Sequence, residues 1–382
     1  MPRATNRALR FTRIQLKNWR NFRTASVDLQ GRVFLVGPNA SGKSNFLDAF
    51  RFLRDIAREG LQHAVSQRGG VSRVRSLDAP PDSEVSISVA IGTEDQPETW
   101  EYEIRFGEHQ RRAVLATEKV RQAGTGLLSR PDSYDRQDSE RLTQTALEQV
   151  SMNKDFREIA DFFSTVFYLH VVPQLVREPE RSAGRHADPF GGDFLEQIAD
   201  VPEDLLEQRL AWVSEAVRAA IPQLVELDVG RDVRGMPHLM GRSRPGGPWQ
   251  TEAQLSDGTL RLIGLLWAHL VEPSGPLILE EPELGLHPEV VRHLPQVFAR
   301  MQSRSGQQIL LSTHSPDLLR DEGIGLNEVL LLLPGKDGSE VRTAGSFREI
   351  VTLLEGGIPL DEAVLPLTRP EGVETLDLRI ER

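Results

Sequence analysis

Eight consecutive residues constrain this chain more than any other stretch: Gly37-Pro38-Asn39-Ala40-Ser41-Gly42-Lys43-Ser44. They fit the pattern G-x-x-x-x-G-K-[ST]. The run follows a continuously apolar segment, residues 33–36, that reads as a buried strand. It opens the segment 44–59, where Phe46, Leu47, Phe50, Leu53 and Ile56 share one helical side. Without side chains at 37 and 42, the backbone can curl until successive N–H groups point at one anion. The helix N-terminus adds about half a positive charge at the same place. In such a loop the Lys43 ammonium reaches the outer phosphates of a nucleotide, and the Ser44 hydroxyl ligates Mg²⁺. Pro38, Asn39, Ala40, Ser41 and Asn45 flank these groups and count with the nucleotide contacts. A glycine-rich turn ending in Lys-Ser by chance is the competing reading, and the strand–loop–helix context argues against it. Only five of the 45 basic residues are lysine, so a lysine at 43 carries more weight than it would elsewhere.

Composition sets the outer limits. With 382 residues, the chain has room for two or three domains, or for one large α/β domain with an insertion. Lys+Arg is 45 against 56 Asp+Glu, a net charge of −11, which excludes a globally basic nucleic-acid coat but not a local basic patch. The absence of Cys removes disulfides, zinc-thiolate sites and cysteine nucleophiles. No uninterrupted apolar stretch approaches 18 residues, and the N-terminus has no apolar h-region. A cytoplasmic protein without a membrane segment is expected.

Patterning gives the organisation. Residues 10–36 read as two or three strands, and 84–91 and 100–106 alternate like an antiparallel pair with one wet face. Residues 121–140 read as a loop, 141–163 as helical and 166–172 as a strand. A charged loop over 177–193 precedes helices at about 194–200 and 203–220, then a hairpin or loop over 231–250. From 255 onward helix and strand alternate (259–270, 277–279, 288–301, 308–312), and 329–333 with 341–343 suggests a terminal hairpin. Strands alternating with helices at both ends imply one parallel α/β core. Its expected pieces are about 1–60 and 255–345, with an antiparallel β subdomain and helical insertion over about 61–254 and a C-terminal tail over about 346–382.

Three later segments bear on the chemistry. Leu255-Ser256-Asp257-Gly258-Thr259 precedes a helix apolar nearly all round; Ser256 is either a second phosphate site or an ordinary N-cap. Leu277-Ile278-Leu279-Glu280-Glu281 is a strand ending in two carboxylates, placed to hold Mg²⁺ and to polarise water, or simply an acidic loop. Ile309–Ser315 ends a third strand in Thr-His-Ser, where His314 either touches a γ-phosphate or is structural.

The order and spacing of these segments resemble the RecF/SMC/Rad50-like branch of ABC-type ATPases, and most of all the stand-alone AAA ATPases related to the ATPase domain of OLD-family proteins. The matching runs are Lys17–Phe22, GPNASGKSNFLDAF (37–50), LSDGTLRL (255–262), LILEEPELGLHP (277–288) and LLSTHSPDLL (310–319). The resemblance implies an α/β P-loop NTPase with an ABC-ATPase head-like, mixed-sheet core. It implies Gly37, Asn39, Gly42, Lys43 and Ser44 as the Walker A loop. Ser256 and Gly258 become a signature touching the γ-phosphate of ATP held by a second subunit. Glu280 stands at the Walker B position and Glu281 is the catalytic carboxylate. His287 falls in the D-loop and His314 is the switch histidine. Asn18 and Arg20 become adenosine contacts, and Gln174 a Q-loop metal contact. Glu280 departs from the commoner Asp, which points to metal held through water and slow turnover. Asp257 replaces a transporter-type Gly.

Other readings are weaker. Asn153-Lys154-Asp155 has the wrong spacing for a guanine-reading segment. The interval from Ser44 to Ser256 lacks the heptads of true SMC or Rad50 arms. The 68 residues after His314 are too few for a Toprim nuclease, so a nuclease or toxin effector is expected on a separate chain. The expected activity is ATP hydrolysis coupled to homodimerisation, serving DNA repair or defence against phage and plasmids. The alternative is a nucleotide-dependent dimerising scaffold with little turnover. Arg68, Arg73, Arg75, Arg231, Arg234, Arg242 and Arg244 are candidate DNA-phosphate contacts, or solvated arginines.

Overall fold

The computed structural model describes residues 8–178, 188, 190–271 and 275–369; most of the charged loop expected over 177–193 lies outside them. The chain opens with β1 (Arg10–Trp19), β2 (Phe22–Asp28) and β3 (Arg32–Val36), then α1 (Lys43–Glu59) and the short helices α2 (Leu61–Ser66) and α3 (Val71–Val74). Four strands follow: β4 (Val85–Gly92), β5 (Trp100–His109), β6 (Arg112–Gln122) and β7 (Thr125–Arg130). They extend the β1–β2 pair into a six-stranded antiparallel sheet, ordered β2-β1-β4-β5-β6-β7.

The strand β7 replaces part of the loop expected over 121–140. It is an edge strand, mostly exposed on both faces, so it has no hydrophobic alternation to read. Its hairpin turns on Ala123 and Gly124, at φ +46° and +79°, the left-handed pair that matches strand twist.

The helix expected over 141–163 is also mostly absent. Only α5 (Arg157–Ser164) is α-helical, preceded by α4 (Ser133–Gln137) and two 3₁₀ turns. A buried ion cluster explains why. Arg130 donates to the carbonyls of Arg141 and Gln144, and Glu118 accepts from the amides of Ala146 and Leu147. Those backbone groups are therefore not available to a helical ladder.

The second half contains β8 (Phe167–Leu169), α6 (Pro173–Arg177), α7 (Phe194–Ala199) and α8 (Glu203–Ala220). A small sheet follows, of β9 (Glu226–Arg231), β10 (Pro237–Arg242) and β11 (Gln250–Thr251). Then come α9 (Asp257–Val271), β12 (Leu277–Glu280), α10 (Pro288–Ser305), β13 (Ile309–Thr313), α11 (Pro316–Leu319), β14 (Val329–Gly335), β15 (Gly338–Thr343), α12 (Arg348–Glu355) and α13 (Leu360–Val364).

The second six-stranded sheet runs β15-β14-β3-β13-β12-β8. All its pairs are parallel except β14–β15, so the sheet is mixed. Its inner strands β3, β13 and β12 are buried on both faces, while the edge strand β15 alternates. Val33 and Leu35 join Ile278, Leu310 and Leu330 in one core with α1 and α5. Phe34 and Val36 join Leu279, Ile309 and Leu331 in another, with α9 and α10. Double burial is why these strands read as continuous apolar runs. The sheets interleave along the chain: residues 1–60 give β1 and β2 to the antiparallel sheet, and the segment 61–254 gives β8 to the mixed one.

Gln308 joins the two sheets. Its side-chain oxygen accepts from the amide of Phe11 at 2.9 Å, and its side-chain nitrogen donates to the carbonyls of Phe11 (2.7 Å) and Gln30 (2.9 Å). The side chain thus stands in for a neighbouring strand where β1 bulges, between Phe11 and Arg13.

Candidate active site

The strands β3, β13 and β12 lie side by side and parallel, so their C-terminal ends open onto one crevice. From β3 the chain enters the glycine loop. A Cβ on Gly37 would stand 2.6 Å from the Leu332 carbonyl and from Ser41 Oγ. Gly42 sits at φ +96° and caps α1 without any side-chain bond, leaving that helix end for an anion. The Lys43 ammonium bonds the loop itself, Gly37 O at 2.9 Å and Pro38 O at 3.2 Å. Burial pushes the Lys43 pKa down, while Glu281, Glu280 and Glu283 pull it back up. The buried Ser41 hydroxyl has no hydrogen-bond partner. Asn39, Ala40 and Ser44 are exposed, Pro38 and Asn45 half-buried. An uncapped helix end, an orphaned hydroxyl and a lysine folded onto its own loop fit a phosphate chain.

At the end of β12, Ser44 Oγ donates to Glu280 Oε2 at 2.9 Å, and the Tyr168 hydroxyl donates to Glu280 Oε1 at 2.7 Å. His170 Nδ1 lies 3.3 Å from the Glu280 carbonyl oxygen. The next residue, Glu281, turns through φ +44°, a left-handed backbone that costs about 1–3 kcal/mol for a non-glycine residue. Its carboxylate lies 3.6 Å from His314 Nε2, at the end of β13. Burial and Lys43 push His314 below the usual histidine range, against the pull of Glu281. Lys43, Ser44, Glu280, Glu281 and His314 therefore converge, as the motif spacing predicts.

A hydroxyl and a carboxylate, both hard oxygen donors, suit Mg²⁺, which takes one or two protein ligands and fills its shell with phosphates and water. Ser44 and Glu280 fit that role.

Ser256 is exposed and bonds Thr259 Oγ1 at 2.8 Å while accepting from the Thr259 amide at 3.2 Å, so it does brace the first turn of α9. A Cβ on Gly258 would run into the Gly285 carbonyl; the signature and the turn after Glu281 pack backbone to backbone. His287 is exposed and caps α10, with Nδ1 accepting from the Glu289 amide at 3.2 Å.

Three residues implied by the resemblance sit elsewhere. Asn18 is buried and donates to the Glu84 carbonyl at 2.8 Å. Arg20 pairs with Asp48 at 3.2 Å and donates to the Arg73 carbonyl. Both side chains bond protein groups in this structure. Gln174 lies exposed in the first turn of α6, while Tyr168 and His170 are the residues of this region that reach Glu280. Among the candidate DNA contacts, Arg68 is buried between Asp48 (2.7 Å) and Asp55 (2.9 Å), and Arg242 stacks on Trp249 and pairs with Glu226.

Sequence reasoning missed Asn21, Tyr168, His170 and Glu283. Asn21 Nδ2 donates to Ser41 O (2.9 Å) and Ser339 Oγ (2.8 Å), and its Oδ1 accepts from Asn45 Nδ2 (2.9 Å). It lies against Gly42, where a Cβ would collide with its amide. The run Lys17–Phe22 contained it but offered no reason to prefer it. Glu283 is buried, accepts from Thr313 Oγ1 (2.5 Å) and the His314 amide (3.4 Å), and has its pKa raised by burial.

The fold is that of a P-loop domain with the architecture of an SMC head. A family profile described as "AAA domain, putative AbiEii toxin, Type IV TA system" matches residues 32–320, and the chain belongs to that family of AAA ATPase domains. The chain is 27% identical over 156 residues to an OLD nuclease of Thermus scotoductus (strain ATCC 700910 / SA-01); the match covers 35% of this chain and 29% of that protein. The structure of an SMC head bound to the C-winged helix domain of ScpA superposes with a TM-score of 0.52 at 13% identity, over 87% of this chain and 97% of that one. The Pyrococcus furiosus SMC head with an extended coiled coil, bound to the C-terminal domain of ScpA, gives 0.48 at 14% identity, over 91% and 99%. No helix among the described residues is long and apolar enough to cross a membrane.

Proposed function

We propose that the chain binds ATP with Mg²⁺ in this crevice and hydrolyses it between two copies of itself. The observation that carries the reading is the meeting of three strand ends: Ser44 bonded to Glu280, and Glu281 beside His314. Lys43 leaves its carbonyls for the phosphates, and the backbone N–H groups of the loop, all but that of Pro38, are the donors that cradle them. Bound Mg²⁺ would offset charge developing on the transferred phosphoryl group. Glu281 positions the attacking water, and neutral His314 contacts the outer phosphate. Exposed Ser256 reaches the nucleotide of the second copy, and buried Gly258 lets its backbone pack against the turn after Glu281. Loss of the outer phosphate removes contacts on both surfaces, so the dimer population falls.

The likeness to an OLD nuclease supports DNA-linked work, repair or defence, with the effector, a nuclease or toxin, on a partner chain. A DNA-binding assay at low and high salt tests direct contact; no binding at low salt in either nucleotide state would leave only the protein partner. For the ATPase reading, sedimentation with and without ATP is the test. Glu281→Gln is expected to lower turnover about a hundredfold or more, in line with loss of a general base, and to keep or strengthen the ATP-dependent dimer. Equal turnover in variant and wild type would overturn the assignment, and a monomer under all conditions would overturn the dimer.

A further inference from the structure

Glu280 carries one more methylene than an aspartate would at the same strand end, and therefore one more torsion to fix. Both of its oxygens are held. Ser44 donates to Oε2 at 2.9 Å, and Tyr168 donates to Oε1 at 2.7 Å. Tyr168 is itself well fixed. It lies on β8, paired in parallel with β12 through Tyr168 and Ile278, so it reaches Glu280 from two positions back on the neighbouring strand. Its side chain is buried, and the Arg51 guanidinium stands 5.3 Å from the ring centroid. Arg51 in turn lies 4.0 Å from Asp55 on α1, the helix that begins at Lys43.

We propose that Tyr168 is a positioning residue that restores, for the longer glutamate, the aim a shorter carboxylate has by itself, and so sets how tightly the crevice takes Mg²⁺. The inference rests on the ATPase reading above. Without the phenol, the Glu280 side chain regains rotamers and turns away from Ser44 for part of the time. Partners that orient a metal ligand are worth about 10–100-fold in metal affinity.

The test is binding of a fluorescent ATP analogue at fixed nucleotide while Mg²⁺ is titrated, with a parallel titration in EDTA. Tyr168→Phe keeps the ring and its packing and removes only the donor. It is expected to raise the Mg²⁺ concentration at half-effect about tenfold. Binding in EDTA and the melting temperature are expected to stay near wild type. In a Glu280→Gln background the same change is expected to add nothing, because the aimed carboxylate is already gone. If Tyr168→Phe leaves the Mg²⁺ midpoint unchanged, or shifts it equally in the Glu280→Gln background, Tyr168 does not act through Glu280 and the proposal falls alone. If the melting temperature drops while the midpoint stays, the role is structural and the proposal again falls. If the wild-type protein ignores nucleotide in every buffer, the ATPase reading fails and takes this inference with it.

Discussion

Asn21 shows what a single side chain does for the phosphate loop. Its three hydrogen bonds tie the loop to β15 and to α1. Asn21→Ala leaves those partners searching for water, at about 1 kcal/mol for each bond lost. If about half of that loss falls on the nucleotide-bound loop, affinity is expected to fall about tenfold, read by titration with the fluorescent analogue, since each 1.4 kcal/mol is a factor of ten. Glu283 gives a pH signature. Its folded pKa is raised, mainly by burial, so the folded state keeps the proton to higher pH than the unfolded chain does. Stability then falls as pH rises from the ordinary glutamate value, about 4.3, toward the folded value. Glu283→Gln retains an acceptor for Thr313 and His314 and is expected to flatten that decline in denaturation curves taken from pH 4 to 7. A wild-type curve that is already flat in that range would contradict the assignment. At this scale the sequence was readable where function is local. Lys43 and Ser44 follow one glycine loop, whereas Tyr168 and Glu280 are 112 residues apart and no local pattern links them.

Among the elements, the helices and strands that flank the crevice were the easiest to foresee. They are buried on one or two faces, and burial writes a period into the sequence. The edge strand β7 and the irregular stretch 138–156 were not foreseen. The first has no buried face, and the second spends its backbone on the ion cluster. That cluster is fully buried: Arg130 meets Asp135 at 2.8 Å and Glu118 at 3.2 Å, and Tyr102 donates to Glu118. Arg130→Ala would leave Glu118 buried without a cation and Asp135 with Arg141 alone, 3.1 Å away, at about 3–5 kcal/mol, and is expected to lower the urea midpoint sharply. Arg130→Met, tried with Glu118→Gln, is expected to recover part of the loss. A different element contact limits the signature. Gly258→Ala places a methyl against the Gly285 carbonyl, so α9 and the turn after Glu281 must move apart. Turnover is expected to suffer more than melting temperature, since the displaced groups border the proposed dimer surface.

At the level of the whole molecule, the sequence leads one to expect a core lobe with an insertion, and the strands of the two six-stranded sheets alternate along the chain. Chain order could not reveal this, because β2 and β3 follow one another in sequence yet lie in different sheets. The amide of Gln308 bridges that boundary with bonds no backbone supplies. It carries no charge, so neither pH nor salt should loosen it. A seam riveted this way leaves the two layers no plane along which to slip. Hydrogen exchange should therefore release β1 and β13 in one cooperative opening, and Gln308→Leu should split that event into two. In the proposed cycle, losing a phosphate would then swing the entire body as a single lever, with flexibility reserved for whatever the lever pushes against.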